Sequence, residues 1–295
     1  MANVAFIGLG VMGFPMAGHL HQKGLATRVF NRSPQRAADW AAAYGGTTAP
    51  TPRLAAHHAD VVCLCVGNDD DVRSVVYGDD GVLAGMAPGS LLIDHTTASQ
   101  QLALEINTAC KERAIGFLDA PVSGGEAGAQ NGQLTVMVGG QAADYHRAEA
   151  VLDCYAKKHR LMGPAGSGQL TKMVNQICIA GLVQALAEGV NFAQKAGLDT
   201  EAVFDVLGGG AAQSWQMDNR HRTMAEGQFE FGFAVDWMRK DLGIALGAAS
   251  SLNVPLPVTA LVDQFYAEVQ ALGGNRWDTS SLIARFQRHI GDSAS

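Results

Sequence analysis

The chain has 295 residues, 47% of them hydrophobic and 17% charged, with a formal net charge of −7. That length supplies a large core and about two domains, and the acidic balance excludes nucleic acid and anionic membranes as partners while leaving room for a small anionic substrate in a local cationic pocket. The five cysteines (Cys63, Cys65, Cys110, Cys154, Cys178) are odd in number with no C-x-x-C pair, so no disulfide framework, zinc site or other metal is expected. No run of 18 apolar residues suggests a membrane span, and no basic leader precedes the apolar start. The expected setting is the reduced cytoplasm.

The first predicted strand is the apolar run 4–7, followed by Gly8-Leu9-Gly10-Val11-Met12-Gly13 and a helical pattern over 14–23. Strand, glycine turn and helix start form the context that a G-x-G-x-x-G match needs. Gly8 permits the turn, Gly10 lets a pyrophosphate approach the backbone, and Gly13 lets helix and strand pack closely. Leu9, Val11 and Met12 complete the loop, and the N–H groups of the helix start face the phosphates. A dinucleotide site is the expectation, against a plain turn that binds nothing. The second strand, 28–30, ends in Asn31-Arg32-Ser33, with no acid to hold ribose hydroxyls. Asn31 can bond the ribose, Arg32 can pair with a 2′-phosphate, and Ser33 adds a hydroxyl or starts the next helix. NADP is therefore favoured, with NAD as the lesser option.

Helices are predicted over 34–44, 69–76, 98–113 and 143–153, and strands over 61–66, 91–94, 116–119 and 134–138. Several strands are apolar throughout, as in sheets covered on both faces. The alternation predicts a Rossmann-type, doubly wound, mainly parallel sheet; the Gly-rich stretch between 119 and 134 carries no assignment. After the glycines of 163–168 the texture changes. A long apolar helix is predicted over 169–196, then helices near 199–207, 213–225, 235–252, 257–272 and 279–289, with a frayed tail. The expected domains are 1–163, binding the nucleotide, and 164–295, all-helical and joined by a glycine hinge. A long helix this apolar exceeds what one small bundle buries, so a homodimer or homotetramer is expected.

The stretch from Phe6 to Leu20, with Met12 and Met16 besides the three glycines, resembles the N-terminal signature of the 3-hydroxyisobutyrate dehydrogenase, or β-hydroxyacid dehydrogenase, family. Asp119-Ala120-Pro121-Val122-Ser123-Gly124-Gly125 is similar to its substrate loop. Gly166-Ser167-Gly168 followed by Lys172-Met173-Val174-Asn175-Gln176 is similar to its catalytic segment. Phe231-Gly232-Phe233 followed by Lys240-Asp241-Leu242 is similar to its C-terminal motif. The matches span nearly the whole chain in the family's order. Two positions depart from the pattern: Thr96 stands where Ser is usual, and Val66-Gly67 replaces a Leu-Pro pair in the cofactor loop.

The resemblance implies that Lys172 is catalytic, that Ser123, Gly124, Gly125 and Asn175 bind substrate, and that Val66, Thr97 and Lys240 contact the cofactor. The residues suit these roles. Moving a hydride between an alcohol and a nicotinamide leaves the protein to handle one proton. Lys172 can do so, since desolvation and the positive end of the long helix both disfavour its charged form. Asn175, at i+3, projects from the same face. Consecutive N–H groups at 123–125 suit a carboxylate. Thr97 lies at a strand's carboxyl end, although Thr97 or Ser99 can equally cap the following helix. Arg220, Arg222 and Lys240 are candidates for a second anion. The implied enzyme interconverts a short 3-hydroxy acid and its semialdehyde. The rivals are an imine reductase on the same scaffold, which usually lacks Lys at this position, and a nucleotide sensor without turnover.

Overall fold

In the computed structural model, which describes residues 2–287, the opening apolar run is strand β1 (Asn3–Ile7) and the helix after the glycines is α1 (Gly13–Gln22). Next come β2 (Ala26–Phe30), α2 (Pro34–Tyr44), β3 (Thr47–Thr48), α3 (Pro52–Ala56), β4 (Val61–Leu64), α4 (Asp69–Val76), α5 (Val82–Gly85), β5 (Leu91–Asp94) and α6 (Gln100–Lys111). The chain continues through β6 (Gly116–Asp119), β7 (Val122–Ser123), α7 (Gly125–Gln130), β8 (Leu134–Gly140), α8 (Ala142–Leu152) and β9 (Ala156–Gly163).

Strand periodicity explains why the central runs are apolar throughout. Successive side chains point to opposite faces. Val4, Phe6, Cys63, Leu91 and Ile93 enter one core with α1 and α2. Ala5, Ile7, Val62, Leu64 and Leu92 enter the other, with α3 and α6. The strand order is β3-β2-β1-β4-β5-β6-β8-β7, with β9 on β8. Pairing is parallel from β3 to β6; β8 runs antiparallel to β6 and β7, and β9 parallel to β8. The chain thus winds outward from β1 in one direction through β2, then in the other through β4. This is a Rossmann-type doubly wound sheet, and the reversal between β1 and β4 opens a crevice at their carboxyl ends.

The stretch after 119 that the sequence leaves unassigned holds β7 and α7. Four further elements carry no sequence signal. β3, α3 and α5 are too short for periodicity, and β9 reads Lys-Lys-His-Arg at its centre because it is a sheet edge. Cations there discourage pairing with other chains. Helix α6 begins two residues later than predicted, because Ser99 Oγ accepts the N–H of Leu102 at 3.0 Å and so fixes the start.

The long predicted helix is α9 (Ser167–Lys195). The chain divides by its internal contacts into two units, Met1–Lys172 and Met173–Ser295, so the division falls inside this helix. The second unit adds α10 (Thr200–Leu207), α11 (Trp215–Glu226), α12 (Val235–Leu252), α13 (Pro257–Ala271), a 3-10 turn (Thr279–Ile283) and α14 (Ala284–Gln287). The turn replaces the first half of the helix predicted over 279–289; residues 288 and 289 and the tail lie outside the described residues. Its core joins Ala180, Val183, Ala187 and Val190 of α9 to Phe204, Met224, Leu242, Val262 and Tyr266.

One sequence reading of α9 needs correction. It is long and apolar enough to cross a membrane by length and composition, since interspersed polar residues hid this from a search for unbroken runs. The inner face described above is that of a core helix. Part of its apolar surface stays outside that core, since Val174 is 61% and Phe192 71% exposed.

Candidate active site

The glycine loop is built as its spacing requires. Gly8 has φ +94°, and a Cβ there would collide with the carbonyl oxygen of Cys65 at the end of the neighbouring strand. A Cβ on Gly13 would collide with the carbonyl oxygen of Gly8. At Gly10 a Cβ would meet no protein atom within 4 Å, so the open side of the loop lies at this glycine. The N-terminus of α1 has no side-chain cap and no acid in its first turn, which suits phosphate. The open backbone at Gly10 and the uncapped start of α1 are what a dinucleotide's pyrophosphate requires, and Gly10, Val11, Met12 and Gly13 could hold it there.

Buried Leu9 fixes the loop from behind. Its N–H donates to Asn31 Oδ1 at 2.9 Å, and its carbonyl accepts from Arg36 Nε at 2.8 Å. The guanidinium of Arg36 also lies 4.5 Å from the ring centre of Phe14. Asn31 donates onward to the Ser33 carbonyl at 3.1 Å. The side chain of Asn31, expected at the ribose, therefore braces the loop. Arg36 has no sequence signal, because its partner is a backbone carbonyl 27 positions away. Arg32 stands 90% exposed with Asp71 against it at 3.3 Å. Such an exposed pair is weak and easily exchanged for a phosphate. Ser33 precedes α2 but its side chain caps nothing.

A second group of site residues lies at the carboxyl ends of β4, β5 and β6. The N–H of Val66 donates to Thr96 Oγ1 at 3.0 Å, and the N–H of Thr96 to Asp94 Oδ1 at 2.9 Å. His95 is buried between them; its Nδ1 donates to the Ala120 carbonyl at 2.7 Å, and its Nε2 accepts from the Tyr155 hydroxyl at 2.8 Å. Burial pushes His95 down to about 4, so this ring is neutral at physiological pH. Thr97 is partly exposed, and Ser99, not Thr97, caps α6.

Asp94 and Asp119 sit opposite each other on adjacent strands. Burial pushes Asp94 up to about 7 and Asp119 up to about 6. A carboxyl raised in the folded state contributes stability that is present below about pH 4 and is lost as pH rises through the folded value. We expect Asp94→Asn, which can still accept from Thr96, to melt above the wild type at pH 8 by more than it does at pH 5. Thermal melts at both pH values check this, and a difference that is independent of pH would contradict it.

Asp119 also anchors the start of α9. Its Oδ1 accepts the N–H of Gly166 at 2.7 Å and its Oδ2 that of Gln169 at 2.9 Å. Lys172 follows one turn later and is 7% exposed, a burial that is rare for lysine. Within the first unit, Ser123 ends the short strand β7, and Gly124 and Gly125 follow with φ +129° and +62° at the start of α7. Two positive φ values in succession explain why the loop needs glycine.

Within the second unit, the Asn175 side chain donates to Gln176 Oε1 at 2.7 Å, and Gln176 Nε2 donates to Asp241 Oδ2 at 2.7 Å. Lys240 Nζ lies 3.1 Å from the other oxygen of Asp241. One buried carboxylate thus braces two predicted site residues, with Gln176 as a link that the sequence reading missed. Arg220 and Arg222, candidates for a second anion, are engaged within the unit by Asp278 and Glu201 respectively. Among the described residues no three metal-binding side chains gather.

Comparison with known proteins adds the family. A model described as the NAD-binding domain of 6-phosphogluconate dehydrogenase matches residues 3–163. One described as the NAD-binding domain of NADP-dependent 3-hydroxyisobutyrate dehydrogenase matches residues 166–286. An uncharacterized oxidoreductase of Shewanella frigidimarina is 59% identical, over 98% of this chain and 99% of the relative. The 2-hydroxy-3-oxopropionate reductase of Escherichia coli is 34% identical, over 95% and 96%. The structure of Mycobacterium tuberculosis 3-hydroxyisobutyrate dehydrogenase with L-serine superimposes with a TM-score of 0.88 at 33% identity, covering 97% and 99%. The chain belongs to the 3-hydroxyisobutyrate dehydrogenase family and is an NAD(P)-dependent β-hydroxyacid dehydrogenase acting on the CH–OH group of 3-hydroxy acids.

Proposed function

We propose that this enzyme interconverts a short 3-hydroxy acid, 3-hydroxyisobutyrate-like in size, and its semialdehyde, with preference for NADP and with Lys172 as general acid and base. The observation that carries this reading is the seating of Lys172. It is buried one turn beyond a helix start that Asp119 pins at the carboxyl end of β6, where ligands of doubly wound sheets bind. The nicotinamide supplies or accepts the hydride when bound. The protein handles the proton. In reduction, Lys172 Nζ gives it to the carbonyl oxygen of the semialdehyde; in oxidation, it takes it from the hydroxyl. Ser123, Gly124 and Gly125 offer a hydroxyl and backbone N–H groups to the substrate carboxylate. Asn175 donates to the substrate, and Thr97, Val66 and Lys240 contact the cofactor. A spectrophotometric screen of small hydroxy acids and semialdehydes with both coenzymes tests the reading, and a protein inert to all of them would reject it.

Arg32 supports the NADP preference, because a guanidinium this exposed can pair with a 2′-phosphate. Arg32→Ala is expected to raise the Kd for NADPH by about tenfold, the value of one charge-assisted contact, and to leave NADH nearly unchanged. Equal effects on both coenzymes would contradict the role.

The exposed apolar residues Val174, Leu182 and Phe192 of α9 and Val206 and Leu207 of α10 support a homodimer or homotetramer. Light scattering at micromolar concentration is expected to give a multiple of the 30.9 kDa chain mass; monomer alone would remove this claim. Five free thiols, Cys63 and Cys110 among them buried, favour the reduced cytoplasm.

A further inference from the structure

Gln169 holds a position that neither the glycine spacing nor the family resemblance assigns. Its side-chain amide closes on the backbone on both sides of Thr97. Oε1 accepts the N–H of Ala98 at 3.0 Å, and Nε2 donates to the carbonyl of Thr96 at 2.7 Å. The pairing is that of a β-bridge, supplied by one planar amide. All partners lie in the interior: Gln169, Thr96 and Ala98 are each 1% exposed. The backbone of Gln169 is held too, since its N–H donates to the buried carboxyl of Asp119. Lys172 follows at i+3, on the same face of the helix.

We propose that Gln169 is a positioning residue for the reaction. It ties the segment from Thr96 to Ala98 to the turn of α9 that bears Lys172, so that the cofactor-contacting residue and the proton carrier keep one fixed relation. This rests on the roles given to Thr97 and Lys172 above. Glutamine fits the task at every pH, because its amide always carries both a donor and an acceptor. An ionised carboxylate of the same length accepts from Ala98 but cannot donate to Thr96, which it does only when protonated, whereas an apolar side chain does neither. The reason for expecting a kinetic effect is geometric, because reacting groups misplaced by about 1 Å cost on the order of 10²-fold in rate.

The test uses the full-length enzyme with Gln169→Met and Gln169→Glu. The measurements are kcat, the Kd for NADPH, the primary deuterium isotope effect with NADPD, and hydrogen–deuterium exchange of the peptide 94–100. For Gln169→Met we expect kcat to fall about 10- to 100-fold with the Kd for NADPH changed less than about threefold. The isotope effect should rise as the hydride step becomes limiting, and exchange across 94–100 should quicken. Gln169→Glu keeps the Ala98 contact and should recover part of the rate. Should Gln169→Met fail to fold, the loss of kcat and larger isotope effect in Gln169→Glu decide the matter. An unchanged kcat and isotope effect in a folded variant would overturn the proposal, as would a rate loss explained wholly by weaker NADPH binding. A wild type without turnover on any hydroxy acid or semialdehyde would overturn the activity itself, and the role of Gln169 with it.

Discussion

Lys172→Met is expected to cost nearly all turnover while NADPH still binds. The expected loss in kcat is about 10³-fold, within the range that a positioned acid or base contributes, and the Kd for NADPH should stay within about threefold. Methionine is the better probe than alanine, because Lys172 is buried and its aliphatic stem packs. Truncation would open a cavity and confuse a chemical loss with a structural one. Fluorescence titration of NADPH and a steady-state assay on the same preparation separate the two. Retained turnover would reject the proton role, and so would a loss that disappears once NADPH is saturating. A nucleotide sensor without chemistry would show no difference at all, so the same experiment rules on that rival.

The second large effect separates two glycines three residues apart. Gly10→Val adds a side chain where the protein places nothing within 4 Å of the new Cβ. Folding should hardly notice, with stability within about 0.5 kcal/mol of the wild type. If the pyrophosphate binds at this loop as proposed, the new methyls occupy its approach to the backbone and at least two charge-assisted contacts would be lost. The Kd for NADPH should then rise by about 100-fold or more. Gly13→Ala should behave in the opposite way. Its Cβ would collide with the Gly8 carbonyl, so strand and helix must part, and overpacking of this kind costs about 1–3 kcal/mol. Melting should fall by several degrees. Paired melts and NADPH titrations check both variants. A Gly10→Val protein that melts normally and binds NADPH normally would remove the pyrophosphate from this loop.

The steric need for glycine at Gly8 and Gly13 and the open space at Gly10 were legible in the sequence, because backbone sterics act over a few residues. Asn31 was found for the right loop with a different partner: its amide binds the N–H of Leu9, and no local pattern distinguishes that N–H from a ribose hydroxyl. Gln176 stood within a matched motif but carried no role, because it is a link, recognisable only once α12 brings Asp241 beside it. The missing elements β3, α3 and α5 each span less than two periods of the signal that finds helices and strands, too few for a repeat to show.

The sequence by itself determined the alternation of strands and helices, the glycine cradle, the change to an all-helical second half, and the place of Lys172 near the start of a long apolar helix. Each is written in neighbours along the chain, through side-chain periodicity, through steric limits on φ and through the unpaired N–H groups of a helix start. Only the tertiary structure decided which polar groups hold the site together. Asp119 reaches Gln169 across 50 positions and Gln169 reaches Thr96 across 73. Partners of that separation meet because the sheet lays β5 beside β6, and burial then makes an unmatched amide or carboxyl too costly to leave unpaired.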